Sequence, residues 1–351
     1  MMKVVLLNDT SKKPHHGCWT VISTINKLVC QKNGKVVYSN RVGKNWQKNK
    51  NFLYSLQSAD LVIVNGEGTI HHSQQRGLDL VKIAKFAKER YSIKSVLINA
   101  SFQDNSEEIV EYTRYFYSIY VRDSYSQFAL AEHGIDSKIV PDLSFHVGYN
   151  LSDKSADVSA VAVTDSVFRK TSEMLCKFSR QNGYRFMPII SYPKIHTSNP
   201  VATRIKRYRY YCMRALYATL RRLGFPLRYT SLKTLYYVDE YDDYIQVLSS
   251  AGFACIGRYH ALCFALKTLT PFVALKSNSH KVEGLLNDVG GLQDRIVDVN
   301  DRGEIKVEAK PFSHHEIKLI TSFVESAKLK IEDMFDCIMS CTHESNGDSR
   351  L

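Results

Sequence analysis

Short apolar runs alternate along this chain with longer stretches of helical period. In the first half, Lys3–Leu7, Leu61–Val64 (extended by Asn65), Ser95–Asn99, Ser118–Val121 and Ser137–Val140 read as buried strands. Trp19–Gln31, Ser73–Tyr91, Asn105–Tyr115 and Ser124–Gly134 read as the helices between them. Such alternation predicts a parallel sheet with helices on both faces. A polar run, Asn150–Asp157, has linker character. The pattern then restarts with strand Ala160–Thr164, helix Lys170–Asn182 and strand Tyr184–Ile190. After a basic stretch follow helix Tyr241–Ser250, strand Phe253–Ile256, helix Ala261–Lys267, strand Phe272–Leu275 and helix Lys281–Val289. A last helical stretch, His315–Met334, is placed to cross back. The reading is an α/β protein of two Rossmann-like, doubly wound domains facing a cleft. They cover residues 1–150 and 151–340, and 341–351 form a polar tail.

A length of 351 residues suits roughly two domains, and 44% hydrophobic with 23% charged residues is ordinary globular composition. No run of about 18 apolar residues marks a membrane span. The start, Met1–Asp9, turns polar too soon for a signal peptide and reads as a first strand. The eight cysteines are scattered without a C-x-x-C pair, as expected of a reducing compartment, and no metal site is expected. These features place the protein in the cytoplasm.

The net charge of +12 is concentrated in one place. Between Met174 and Val238 there are thirteen Lys/Arg and no Asp or Glu, and the rest of the chain holds 34 basic against 35 acidic residues. Within this excess, an insertion at about 194–235, Val201–Leu223 reads as a basic helix with Ile205, Tyr208, Met213, Leu216, Leu220 and Leu223 on or near one face. That pattern suits an anionic membrane surface bound through Arg204–Arg228, at the inner face of the cell membrane. A solvated helix facing the cleft or a partner subunit is the alternative. The interleaved tyrosines also suggest nucleic acid. That third reading leaves the cleft motifs without a role, so no nucleic-acid partner is expected.

The candidate chemistry lies where strands give way to helices, the edge at which open α/β sheets bind ligands. In Phe253–Leu266, Arg258 and His260 are squeezed between a buried strand and an apolar helix, with Gly257 as punctuation. The alternative is an arginine that pairs locally and a satisfied core histidine. In Val62–His72, Gly66-Glu67-Gly68 follows a strand and is read as a turn into a helix, with His71 and His72 crowded near it. An ordinary tight turn with solvated histidines is the alternative. Asn8, Asp9, His15 and His16 follow the first strand and face the same edge, or form a surface loop. Arg122 ends another strand, where a guanidinium can grip a carboxylate or phosphate. Ser277, Asn278 and Lys281 follow the strand next to the Arg258 motif. A lysine opening a helix opposes the dipole, which an anionic ligand explains.

Three motif groups, Arg122-Asp123-Ser124 with Val140-Pro141-Asp142, Ile256–Ala261, and Pro271–Leu275 with Lys281, resemble the polysaccharide pyruvyl transferase family over about Met1 to Gly290. The resemblance implies two Rossmann-like domains in the glycosyltransferase-B arrangement. It implies transfer of a pyruvyl group from phosphoenolpyruvate to sugar hydroxyls as a ketal, with Arg122, Arg258 and His260 at the donor. The acceptor is then a cell-surface polysaccharide of capsule or lipopolysaccharide type, or its lipid-linked precursor. Family members usually carry Gly-Gly-Gly where this chain has Gly66-Glu67-Gly68, and the basic stretch looks like an insertion. On this reading Arg122, Arg258 and Lys281, with Gly66, Gly68, Ser277 and Asn278, hold the donor. His260 is the acid, Glu67 or His71 the base, and Asn8, Asp9, His15, His16 and His72 face the acceptor. A glycosyltransferase using a nucleotide-activated sugar, for example a CMP-linked ulosonic acid, is the alternative on the same scaffold. The oligomeric state is not legible.

Overall fold

A computed structural model of the chain describes residues 1–149, 157–191, 199–223, 238, 240–298 and 308–340. The expected linker before Asp157, the basic residues Lys194, Arg228 and Lys233, and the polar tail lie outside the described residues.

The first half builds strands β1 (Met2–Asp9), β2 (Gly34–Arg41), β3 (Leu61–His71), β4 (Lys94–Gln103), β5 (Ser118–Val121) and β6 (Lys138–Ile139). Its helices are α1 (His16–Gln31), α2 (Lys50–Leu56), α3 (Gln75–Tyr91), α4 (Glu107–Thr113) and α5 (Ser124–Ala131). All neighbouring strands are parallel, in the order β2-β1-β3-β4-β5-β6. The second half builds β7 (Asp157–Ser166), α6 (Arg169–Gln181), β8 (Arg185–Phe186), α7 (Pro200–Arg222), α8 (Tyr241–Ser249), β9 (Ala251–Gly257), α9 (Tyr259–Lys267), β10 (Phe272–Leu275), α10 (Lys281–Gly290), β11 (Ile296–Val297) and α11 (His314–Ser340). Its parallel sheet runs β11-β10-β9-β7-β8. Two Rossmann-like sheets are what the alternating pattern predicts, because strands covered on both faces are apolar throughout.

Several elements differ from the pattern. The strand β2 and helix α2 escape it, since Gly34–Arg41 mixes polar and apolar residues at a sheet edge and α2 is short. The run Tyr184–Ile190 forms only a two-residue strand, after which Ile190 makes an antiparallel bridge to His15. Gly66-Glu67-Gly68 is not a turn into a helix. It lies inside β3, which continues to His71, and α3 begins only at Gln75. A Cβ on Gly66 would lie 2.6 Å from the Ala100 Cβ, so glycine here permits close approach of β3 to β4.

The halves are held together at several points. The last helix returns to the first half: Lys32 pairs with Asp336, and Val21, Ile25 and Leu28 share one core with Ala327, Ile331 and Phe335. Asp288 of α10 accepts hydrogen bonds from the Ser124 amide (2.8 Å) and hydroxyl at the start of α5. Lys267 of α9 gives its three protons to the Ser144 and Val147 carbonyls and the Tyr241 hydroxyl. The carboxyl ends of the two sheets therefore meet.

Candidate active site

The edge of the first sheet is locked by an asparagine ladder. The Asn8 amide donates to the Asn65 carbonyl at 2.6 Å, the Asn99 amide to Asn65 Oδ1 at 3.3 Å, and Asn99 Oδ1 accepts from the Leu143 amide at 3.2 Å. Asn8, Glu67 and Asn99 all hold φ between 45° and 68°. Left-handed backbone in non-glycine residues costs roughly 1–3 kcal/mol each and gathers at functional sites. Glu67 is buried; its Oε1 accepts from Thr10 (2.6 Å) and Asn65 (3.2 Å), and Lys13 stands 4.0 Å from Oε2. Cys18 approaches the same carboxylate, and burial, with Glu67 next, pushes the thiol pKa far up, so it is no nucleophile.

Arg122 leaves β5 pointing inward. It is buried, donates to Asp142 Oδ2 at 2.8 Å and Ser101 Oγ at 2.7 Å, and lies 4.4 Å from the centre of the Tyr259 ring. Its Nε has no hydrogen-bond partner. From the second sheet, Arg258 forks onto Asp165, with Nε at 2.8 Å and Nη2 at 2.7 Å from Oδ2. The local pairing weighed for Arg258 is thus present, and it aims a guanidinium that keeps partial exposure. His260 sits in the first turn of α9 with Nε2 3.6 Å from Asp142 Oδ1, too long for a hydrogen bond, and that nitrogen is buried without a partner. A Cβ on Gly17 would fall 2.1 Å from His260 Cγ, so the imidazole occupies space that only glycine leaves at the start of α1. His15 caps α1 and meets the His260 ring edge-on at 5.2 Å. Burial lowers the His260 pKa below its ordinary value against the pull of Asp142 and Glu67. Burial alone would raise Asp142, but His260 and Arg122 outweigh it and hold the carboxyl below the usual range.

Lys281 completes the cluster. It is buried, and its Nζ donates to Asn278 Oδ1 at 2.6 Å. Among the described residues no carboxylate ion-pairs with it. Burial, then Arg122 and Arg258, push its pKa down to about 7. Asn278 is held in turn by Ser277 Oγ (3.2 Å) and by His71 Nε2 (3.3 Å), and His71 Nδ1 meets His72 Nδ1 at 2.8 Å. Burial, with Lys281 and His72, takes His71 down to about 4. On Gly68, a Cβ would sit 3.3 Å from Lys281 Nζ and 3.6 Å from Arg122 Nη2. Two cations therefore close on Gly68, where a side chain would crowd the Lys281 ammonium.

Of the residues singled out from sequence, Arg122, Arg258, His260, Lys281, Asn278, Ser277, Gly68, Glu67, His71 and His15 converge here. Asn8 and Gly66 shape the edge. Asp9 accepts from the Ser11 amide in its own turn. His16 faces elsewhere, with Nε2 2.9 Å from the Val238 carbonyl and its ring against Tyr244. His72 is half-exposed beside Asp104. Asp142 and Tyr259 entered from sequence only as members of quoted motifs, without a role, and Asp165, Thr10 and Ser101 not at all, because the partners that give them a role lie far away in sequence. An open concavity of about 840 Å³ lies beside this cluster along α5, lined by Tyr125, Phe128, Glu132 and His280.

Two parallel Rossmann-like sheets with charged side chains gathered between their carboxyl ends define an α/β protein with a ligand-binding edge between two sheets. Residues 24–279 match the polysaccharide pyruvyl transferase family, so this chain belongs to that family. No curated protein matches the chain. Solved structures similar to it include a functionally uncharacterised protein from Klebsiella pneumoniae (11% identity, 82% of this chain and 87% of that one, TM-score 0.42). An alpha-glucosyltransferase in complex with UDP is also similar (8% identity, 96% and 95%, TM-score 0.43). So is a UDP-N-acetylglucosamine 2-epimerase from Rickettsia bellii (12% identity, 96% and 98%, TM-score 0.39). Likenesses this remote concern the path of the chain alone.

Proposed function

We propose that the protein transfers a pyruvyl group from phosphoenolpyruvate to two hydroxyls of a sugar, releasing phosphate and forming a ketal. The observation that carries this is the cation cluster: Arg122 and Lys281 converge on Gly68, Arg258 is near enough to Lys281 to help lower its pKa, and among the described residues no carboxylate ion-pairs with Lys281. Phosphoenolpyruvate brings a carboxylate and a phosphate, the two groups such a cluster grips.

In the reaction the methylene carbon takes a proton and becomes the methyl group. One sugar hydroxyl adds to the neighbouring carbon, the carbon–oxygen bond to phosphate breaks, and the second hydroxyl adds. One hydroxyl proton balances the new methyl, and the other leaves with phosphate. His260 is the acid. Burial keeps it neutral in the empty site, and the negative donor raises its pKa so that it carries the proton when needed. With Nε2 turned toward Asp142, Nδ1 is the nitrogen left for the donor. Glu67 takes the acceptor proton. His71, weakened to about 4 and bound to Asn278, orients Asn278 and so Lys281.

Phosphate release is measured with phosphoenolpyruvate and a panel of glycans. His260→Ala should lose about 10²–10⁴ in turnover. Thermal shift separates this reading from nucleotide-sugar transfer, because a ligand at 100 times its Kd stabilises by about 2.7 kcal/mol. Stabilisation by CMP- or UDP-sugars and none by phosphoenolpyruvate sinks the proposal.

A further inference from the structure

Both flanks of the basic stretch are tied to the start of α1, beside the site. The chain leaves the second domain at Ser191, whose amide bonds the Pro14 carbonyl at 3.0 Å, just after Ile190 bridges His15. It returns at Val238, whose carbonyl is held by His16 Nε2. Both ends of the excursion are therefore fastened to the residues that open α1, one of which touches His260.

What lies between includes α7, a helix of 23 residues and about 34 Å. It carries seven Lys/Arg and no Asp or Glu. Val201 (65%), Ile205 (55%), Tyr208 (72%) and Leu216 (52%), with Leu223 (67%) just beyond, are all exposed. With Cys212, also exposed, those from Val201 to Leu216 recur every three or four residues and form one apolar stripe, which Leu223 rejoins two turns on. Met213 and Leu220, expected on that face, are half-buried and lie to one side of it. Arg204 and Arg209 are exposed and flank the stripe at helical spacing.

We infer that α7 lies on an anionic lipid bilayer, its stripe in the headgroup boundary and its cations on the lipid charges. An exposed aliphatic stripe between arginines fits that interface, whereas a phosphate backbone has no use for Val201, Ile205 and Leu216. Together with the tethering of its flanks at His15 and His16, this keeps the site near the membrane and suits a lipid-linked glycan as acceptor. That last step rests on the transferase reading above; the surface itself does not.

The test is co-sedimentation of the full-length protein with phosphatidylcholine vesicles, with and without phosphatidylglycerol. Wild type should pellet only with the anionic vesicles and be released by salt. Arg204→Glu/Arg209→Glu should lower the partition at least about 25-fold, fivefold for each cation lost, which is about 1 kcal/mol each. Ile205→Asp/Leu216→Asp should abolish it. Both variants should keep the thermal shift given by phosphoenolpyruvate, which reports folding and the donor site. A wild type that ignores anionic vesicles overturns the inference. So does binding that neither variant changes, or binding of duplex DNA in place of vesicles. Vesicle binding without any phosphoenolpyruvate shift would instead defeat the donor reading and leave this one standing.

Discussion

Asp142 offers the sharpest test of how the site is held. It is fully buried and faces the Arg122 guanidinium at 2.8 Å and the His260 ring at 3.6 Å. Asp142→Asn keeps the shape and removes the charge. Of the remaining Arg122 neighbours, Ser101 Oγ and the Tyr259 ring are neutral, and Asp123 acts on it through space without a hydrogen bond. Stranding a buried guanidinium in this way costs about 3–5 kcal/mol. Urea unfolding, after a check that it is reversible, should show a loss of that size. Arg122→Met in the same chain should recover much of it, because the charge that needed a partner is gone. The pH dependence has a definite sign. A carboxyl held below its ordinary value in the folded state contributes stability above the unfolded pKa of about 3.9. That contribution fades as pH falls further, through the lower folded value. The variant should lack this acid limb. A loss under about 1 kcal/mol, or a double variant no more stable than the single losses predict, would refute the ion pair as the centre of the site.

Lys281, near 7 when folded, is a burden on stability below pH 7 that lifts as pH rises toward its ordinary value near 10.4. Stability should therefore climb over that range in wild type and stay flatter in Lys281→Met, read by denaturant unfolding. The same variant should weaken phosphoenolpyruvate binding about tenfold or more, the loss of one charge-assisted hydrogen bond, measured by calorimetry. Gly17→Ala puts a methyl into the His260 ring, so it should cost about 1–3 kcal/mol by overpacking and lower turnover by displacing the imidazole. Asp288→Ala removes the acceptor for the Ser124 amide and hydroxyl and should cost about 1 kcal/mol, seen in thermal unfolding.

Much was legible from the linear order of residues. Apolar runs such as Val62–Val64 and Phe253–Ile256 specify strands covered on both faces, and the helical stretches between them specify parallel connection. The candidate residues at strand ends also follow from order alone, since parallel strands all present their carboxyl ends to one edge. Tertiary structure decided the rest. It turned Gly66-Glu67-Gly68 from a turn into strand, because the fit of β3 against Ala100 is set by a neighbour in space. It gave Arg122 and Arg258 their carboxylates, Asp142 and Asp165, and among the described residues left Lys281 without one. It brought His260 against Gly17 and fastened both ends of the basic excursion to His15 and His16. Periodicity records which side of an element is buried. Charge pairing, desolvation and close approach depend on distances between residues far apart in the chain, and those exist only once it has folded.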